Sequence, residues 1–166
     1  MFDEQNYYSL IESFDNKLPK RNDGKIDYTH SEKAAVITIF VKFNKKILLL
    51  KRSQDVLTYK GKWNTVAGYL DEVRPICDKI FEELNEELSI SQDEIKKINI
   101  GTPYSYIDEN IKRTWIIHPV LVILKKKPQI TLDWEHTKYC WIKPDEIDQY
   151  DTVPNAKKSL IKSFEE

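Results

Sequence analysis

Hydrophobic and polar positions run along this chain in two rhythms, one helical and one extended, and the switches between them mark out its elements. Over residues 4–16 (EQNYYSLIESFDN), Tyr7, Leu10, Ile11 and Phe14 recur at helical spacing and predict a short amphipathic helix. Residues 17–33 turn polar, with Pro19, Asn22, Asp23 and Gly24, and read as a connection. From Ala34 the stretch AAVITIFVKF is rich in β-branched residues. It meets ILLLKRS across Asn44-Lys45-Lys46, which predicts a hairpin over 34–52. WNTVA (63–67) reads as a short strand leading to Gly68. Pro75 then opens a helix to about Leu88, at a position where its missing N–H costs nothing. Ser91 and Glu94 carry a capping-box signature. Residues 97–107 and 112–124 predict two strands joined at Asp108–Asn110, and Trp134–Lys143 a last one. PDEI after Pro144 starts a short helix, and Pro154 opens a final helix to about Phe164. The order helix, strands, helix, strands, helix predicts a mixed α/β layered domain over 34–166, preceded by a helix and connection over 1–33.

Composition narrows the partners. The chain has 166 residues with 40% apolar and 32% charged content, and its formal net charge of −1 gives no general pull toward nucleic acid or anionic membrane. No apolar run approaches the roughly 18 residues a membrane span needs. The two cysteines, Cys77 and Cys140, sit among apolar neighbours and are expected to be buried free thiols, as in a reducing cytoplasm.

One stretch is out of keeping with ordinary helix electrostatics. GYLDEVRPICDKIFEELNEELSI (68–90) places Glu82, Glu83, Glu86 and Glu87 in the C-terminal half of a helix whose core stripe is Ile76, Cys77, Ile80, Phe81, Leu84 and Leu88. Glu82–Glu86 and Glu83–Glu87 are i,i+4 like-charge pairs that cost roughly 0.2–0.5 kcal/mol each. The macrodipole disfavours anions at that end by a further ~0.3–1 kcal/mol. A solvated acidic face would tolerate this; a hard divalent cation, bound by oxygens from one helix face, would remove the penalty.

The same stretch resembles the Nudix box, G-x5-E-x7-R-E-U-x-E-E-x-G-U, where U is aliphatic. Aligned without gaps, Gly68 takes the first glycine, Glu83 the first glutamate of REUxEE, Glu86 and Glu87 the paired glutamates, and Ile90 the last aliphatic position. Three positions depart: Arg74 stands for a glutamate, Glu82 for an arginine and Ser89 for a glycine. The first two departures are reciprocal, so an Arg74–Glu82 pair would keep the family's orienting ion pair with its charges exchanged. Resemblance extends over about 34–162, through AAVITIF…ILLLKRS, YKGKWNTVAGYLDE, WEHTKYCWIKPDEI and YDTVP. Ala67 stands where isopentenyl-diphosphate isomerases, which share an NTVxG approach, carry a catalytic cysteine; that chemistry is set aside.

The resemblance implies a Nudix fold, an α/β/α sandwich around a central mixed β-sheet with the N-terminal helix added. It also implies hydrolysis of a phosphoanhydride bond in a nucleoside diphosphate linked to another moiety. Mg²⁺, or Mn²⁺ in its place, would be held by Glu83, Glu86, Glu87 and the carbonyl of Gly68. Arg74 and Glu82 would orient Glu83, the expected catalytic residue, and Glu135 would serve as a further metal contact or the base. Arg52, Lys62, Tyr104 and Tyr106 would contact a small nucleotide-type substrate. The alternative is a non-catalytic Nudix-fold module that binds a nucleotide as a regulator, for which the Arg74/Glu82 exchange argues. Family members often dimerise, and the N-terminal helix is available for that.

Overall fold

The computed structural model describes residues 1–165. Its centre is the parallel pair formed by β1 (Lys33–Phe43) and β7 (Arg113–Leu124). Both strands change partners along their length. Val36–Ile39 of β1 pair with β4 (Val66–Tyr69), whereas Lys42 and Phe43 turn into β2 (Lys46–Arg52). On β7, residues 113–117 pair with β6 (Tyr104–Asp108) and 120–124 with β5 (Ile95–Ile100). The switch on β7 falls at Pro119, which has no N–H to donate to a ladder. β2 continues the sheet to β3 (Trp63–Asn64) and β8 (His136–Ile142), which completes eight mixed strands among the described residues.

Alternation along the strands sorts side chains onto two faces. Ile37, Ile39, Val120, Val122, Leu48 and Leu50 face a core shared with Tyr7 and Ile11 of α1 (Glu4–Lys17) and Ile76, Ile80, Leu84 and Leu88 of α2 (Ile76–Leu88). Phe40, Ile47, Leu49 and Leu121 face a smaller core closed by Leu160 of α3 (Ala156–Ser163). The expected α/β/α sandwich is therefore formed. The apolar face of α1 is buried in its own domain, with Asp3 capping its N-terminus through Asn6 N at 2.9 Å.

Some boundaries differ from expectation. The strand predicted over 97–107 is two strands, interrupted where Gly101 passes so close to α3 that a Cβ there would lie 1.9 Å from the Lys162 carbonyl. Ser89 ends α2 in the left-handed conformation, φ 58°, its N–H donating to Asn85 O and that of Ile90 to Leu84 O. The cysteines are half-buried rather than buried. Among the described residues no helix is long and apolar enough to cross a membrane.

His118, in the middle of β7, is 2% exposed and meets the Tyr7 ring edge-on at 5.7 Å. Burial holds its imidazole neutral, with the pKa pushed down to about 4. The unfolded chain, at about 6.5, protonates first as pH falls, so stability is lost from about pH 6.5 down to about pH 4. Urea unfolding of the wild type is expected to lose about 2 kcal/mol from this group between pH 7 and pH 5. His118→Gln should remove that part of the slope.

Candidate active site

Three pieces of backbone converge on the acidic helix. β4 carries Gly68 beneath α2, the loop from Leu70 to Pro75 returns the chain to the start of α2, and the N-terminal connection lies along that loop. Ile26 N donates to Asp71 O at 2.8 Å, the Tyr28 hydroxyl to Leu70 O at 2.8 Å and the Tyr7 hydroxyl to Arg74 O at 3.0 Å. Residues before the domain thus brace the loop that leads into the helix.

Around this loop the charges alternate. Arg74 Nη2 donates to Glu82 Oε2, so the exchanged pair is formed across eight residues. Glu82 also lies 3.0 Å from Lys79 Nζ and 3.7 Å from Lys25 Nζ. Arg21 reaches Asp71 at 3.1 Å, and Lys25 reaches Glu72 at 3.1 Å. Burial raises the cost of ionising Glu82, but Lys79 and Arg74 outweigh it and hold its pKa below the usual carboxylate range.

This network changes what a reversal of the exchange does. An arginine at 82 would face Lys79 and Lys25, and a glutamate at 74 would face Glu72. The double substitution Arg74→Glu/Glu82→Arg, neutral by charge count, is expected to lower stability by at least about 1–2 kcal/mol. Adding Lys79→Ala should recover part of that loss in urea unfolding.

The remaining glutamates separate by depth. Glu83 is 7% exposed, Glu87 is 2% exposed and Glu86 lies in solvent. Glu83 Oε1 is 2.7 Å from Lys79 Nζ, and a Cβ on Gly68 would lie 2.2 Å from that same oxygen. Only a glycine permits this approach of strand backbone to carboxylate. Glu87 Oε2 is buried without a hydrogen-bond partner, and His136 Nδ1 is 3.8 Å away. Burial first, and then the neighbouring carboxylates, push Glu87 well above the usual range; burial raises Glu83 less, because Lys79 opposes it. Glu135 is raised by burial, Asp133 and Glu83, against Arg52.

These residues fit a hard divalent cation on three counts: a donor set of oxygens only, a buried carboxylate oxygen lacking a partner, and a glycine backbone pressed against Glu83. Among the described residues no three acidic, histidine or cysteine side chains are already gathered around one point, and Lys79 stands at Glu83 instead.

The acidic face opens into a cavity of about 370 Å³, within the usual range for ligand sites. Gly68, Lys79, Glu83, Glu86 and Glu135 line it, together with an aromatic wall of Tyr59, Tyr104, Tyr106 and Trp115. Tyr104 and Tyr106 are near-parallel, with ring centroids 6.4 Å apart. Tyr59 OH and Trp115 Nε1 both donate to the buried Asp108, at 2.6 and 3.4 Å, which fixes two rings of that wall. Arg52, Tyr69, Trp115 and Glu135 also line a second groove of about 550 Å³ that runs on toward Arg113 and Trp134. Of the residues expected at the substrate, Arg52, Tyr104 and Tyr106 line the cavity; Lys62 does not. Lys62 Nζ is drawn to Asp151 at 2.7 Å, outside the lining.

Sequence reading missed Lys79, although it stands four residues before Glu83 and three before Glu82, the helical spacing of opposite-charge pairs. His136 has no Cys or His companion at metal spacing in the sequence, and Glu87 comes to within 3.8 Å of it only in the fold.

Residues 31–164 match the NUDIX domain. The nucleoside triphosphatase NudI of Escherichia fergusonii is 25% identical over 122 residues, which cover 68% of this chain and 84% of that protein. The MutT protein from Methanosarcina mazei Go1 has 19% identity and a TM-score of 0.64, covering 79% of this chain and 92% of that one. The C. elegans Ap4A hydrolase has 20% identity and a TM-score of 0.59, covering 78% of this chain and 93% of that one.

Proposed function

This chain belongs to the Nudix family, as a Nudix hydrolase, and from that premise we propose that it cleaves a phosphoanhydride bond in a nucleoside diphosphate linked to another moiety. The observation that carries the reading is the buried Glu83, pressed on Gly68 and lining a cavity with an aromatic wall, with Glu87 buried one helical turn on and outside that lining. Nudix hydrolases generally use divalent metal ions; here Glu83, Glu86, Glu87 and the Gly68 carbonyl would hold one, with Mg²⁺ or Mn²⁺ suited to the oxygen donors. When bound, the cation supplies charge neutralisation for the diphosphate and acidifies a water.

The chain's own residues do the rest. Glu135, made more basic by burial and by Asp133, takes a proton from the attacking water. The water oxygen bonds to phosphorus, the bridging P–O bond breaks, and the leaving phosphate carries off the electron pair. Arg52, its Nε held by the Thr58 carbonyl at 3.0 Å, contacts the phosphates at the junction of the two chambers. Tyr104, Tyr106 and Trp115 receive the base. Two chambers meeting at Arg52 and Glu135 favour a substrate with a bulky group on each side of the anhydride over a simple nucleoside triphosphate.

A panel of nucleoside triphosphates, nucleoside diphosphate sugars and dinucleoside polyphosphates, assayed with Mg²⁺ and product identification, tests this. Two-sided substrates are expected to have kcat/KM at least about tenfold above triphosphates, a difference of about 1.4 kcal/mol in transition-state binding. Preference for triphosphates would overturn the substrate class. Nucleotide binding without turnover would favour the regulatory reading.

A further inference from the structure

Lys79 is an unusual lysine. It is 5% exposed, it lines the catalytic cavity, and its ammonium lies 2.7 Å from Glu83 Oε1, 3.0 Å from Glu82 Oε2 and 3.5 Å from Asp71 Oδ1. Burying an ammonium is costly unless it is paired, and here three carboxylates from the loop and the helix surround it. Asp71 Oδ1 is itself buried without a hydrogen bond, which leaves Lys79 as its near cation.

From this geometry we propose that Lys79 is a positioning residue, a tethered cation that fixes the Glu83 carboxylate against Gly68 and competes with a divalent metal ion for it. The site then holds a neutralising charge before any metal arrives. Glu83 stays ordered in the metal-free protein, because Lys79 anchors its Oε1 at 2.7 Å. Lys79 also joins the two halves of the site: one ammonium ties the helix (Glu82, Glu83) to the loop (Asp71), which Arg21 holds from the N-terminal segment. The cost is metal affinity. A positive charge beside a ligating carboxylate repels a divalent cation, so the protein gains a preformed site and binds metal less tightly.

The inference rests on Glu83 being a metal ligand, and calorimetric titration with Mn²⁺ alone separates the two ideas. Lys79→Met is expected to bind Mn²⁺ on the order of tenfold more tightly than wild type, the effect of removing one charge a few Å from the ion. Without metal its Tm should fall, and saturating Mn²⁺ should raise that Tm by more than it raises the wild type's. In turnover, kcat should fall while KM stays within about threefold, since Lys79 acts through Glu83. Lys79→Gln, which keeps a donor without the charge, reads the same affinity shift should Lys79→Met fail to fold. Unchanged or weaker Mn²⁺ binding in these variants, beside normal wild-type binding, would overturn the inference alone. Wild-type protein that binds no Mn²⁺ would overturn the ligand assignment as well.

Discussion

Glu83→Gln is expected to lower kcat by about 10³-fold and to leave the fold intact. The carboxylate is buried, aimed into the cavity, and held between the Gly68 backbone and Lys79, so its geometry is set before substrate arrives. Glutamine keeps the shape but removes the charge proposed to hold the metal, and loss of such a group in proton transfer and metal ligation is worth about 10²–10⁴-fold. Stability moves little, because two effects oppose. Lys79 loses an anionic partner, while Glu87, raised in part by Glu83, loses a repelling neighbour. Steady-state kinetics at saturating Mg²⁺ together with urea unfolding check both halves. Activity within threefold of wild type would remove Glu83 from the chemistry.

Gly68→Ala is the second large effect, and it acts without touching charge. The new methyl would lie 2.2 Å from Glu83 Oε1 and 2.5 Å from its carboxyl carbon, far inside any real contact. Either β4 moves, against its pairing with Ile37, or Glu83 rotates away from the cavity. Displacement of a catalytic group by about 1 Å can cost about 10²-fold, and kcat is expected to fall by that order. Overpacking adds a stability loss of about 1–3 kcal/mol. A drop in kcat with an unchanged substrate KM is the signature of a misplaced catalytic group; loss of stability alone would point to packing.

The sequence rendered the elements well where one physical cause dominated. The β-branched run of AAVITIF and its turn into the apolar ILLLKRS marked strands whose two faces now fill two cores, and Pro75 marked the entry to α2. The strand over 97–107 was misjoined because its break comes from a long-range contact, Gly101 against Lys162 of α3, that no local pattern records. Trp134, expected in the last strand, lies before it and is 65% exposed at the rim of the second groove. At the site, the reciprocal departures at 74 and 82 announced an ion pair that the fold forms directly. What surrounds that pair was not legible: Arg21 and Lys25 approach from a segment some fifty residues away in sequence, and they make the exchange part of a larger network. Lys62 shows the reverse error. Its place beside Gly61 in a loop near the site suggested phosphate, but Asp151 comes from a distant turn to claim it.

The acidic face of α2 is proposed to work by holding a divalent cation for phosphoanhydride hydrolysis. The most direct test is the initial rate of wild-type protein on its best substrate from the panel, measured across free Mg²⁺ from excess EDTA upward. No turnover is expected in EDTA, with a saturable recovery as Mg²⁺ is restored. Appreciable turnover in excess EDTA would contradict it.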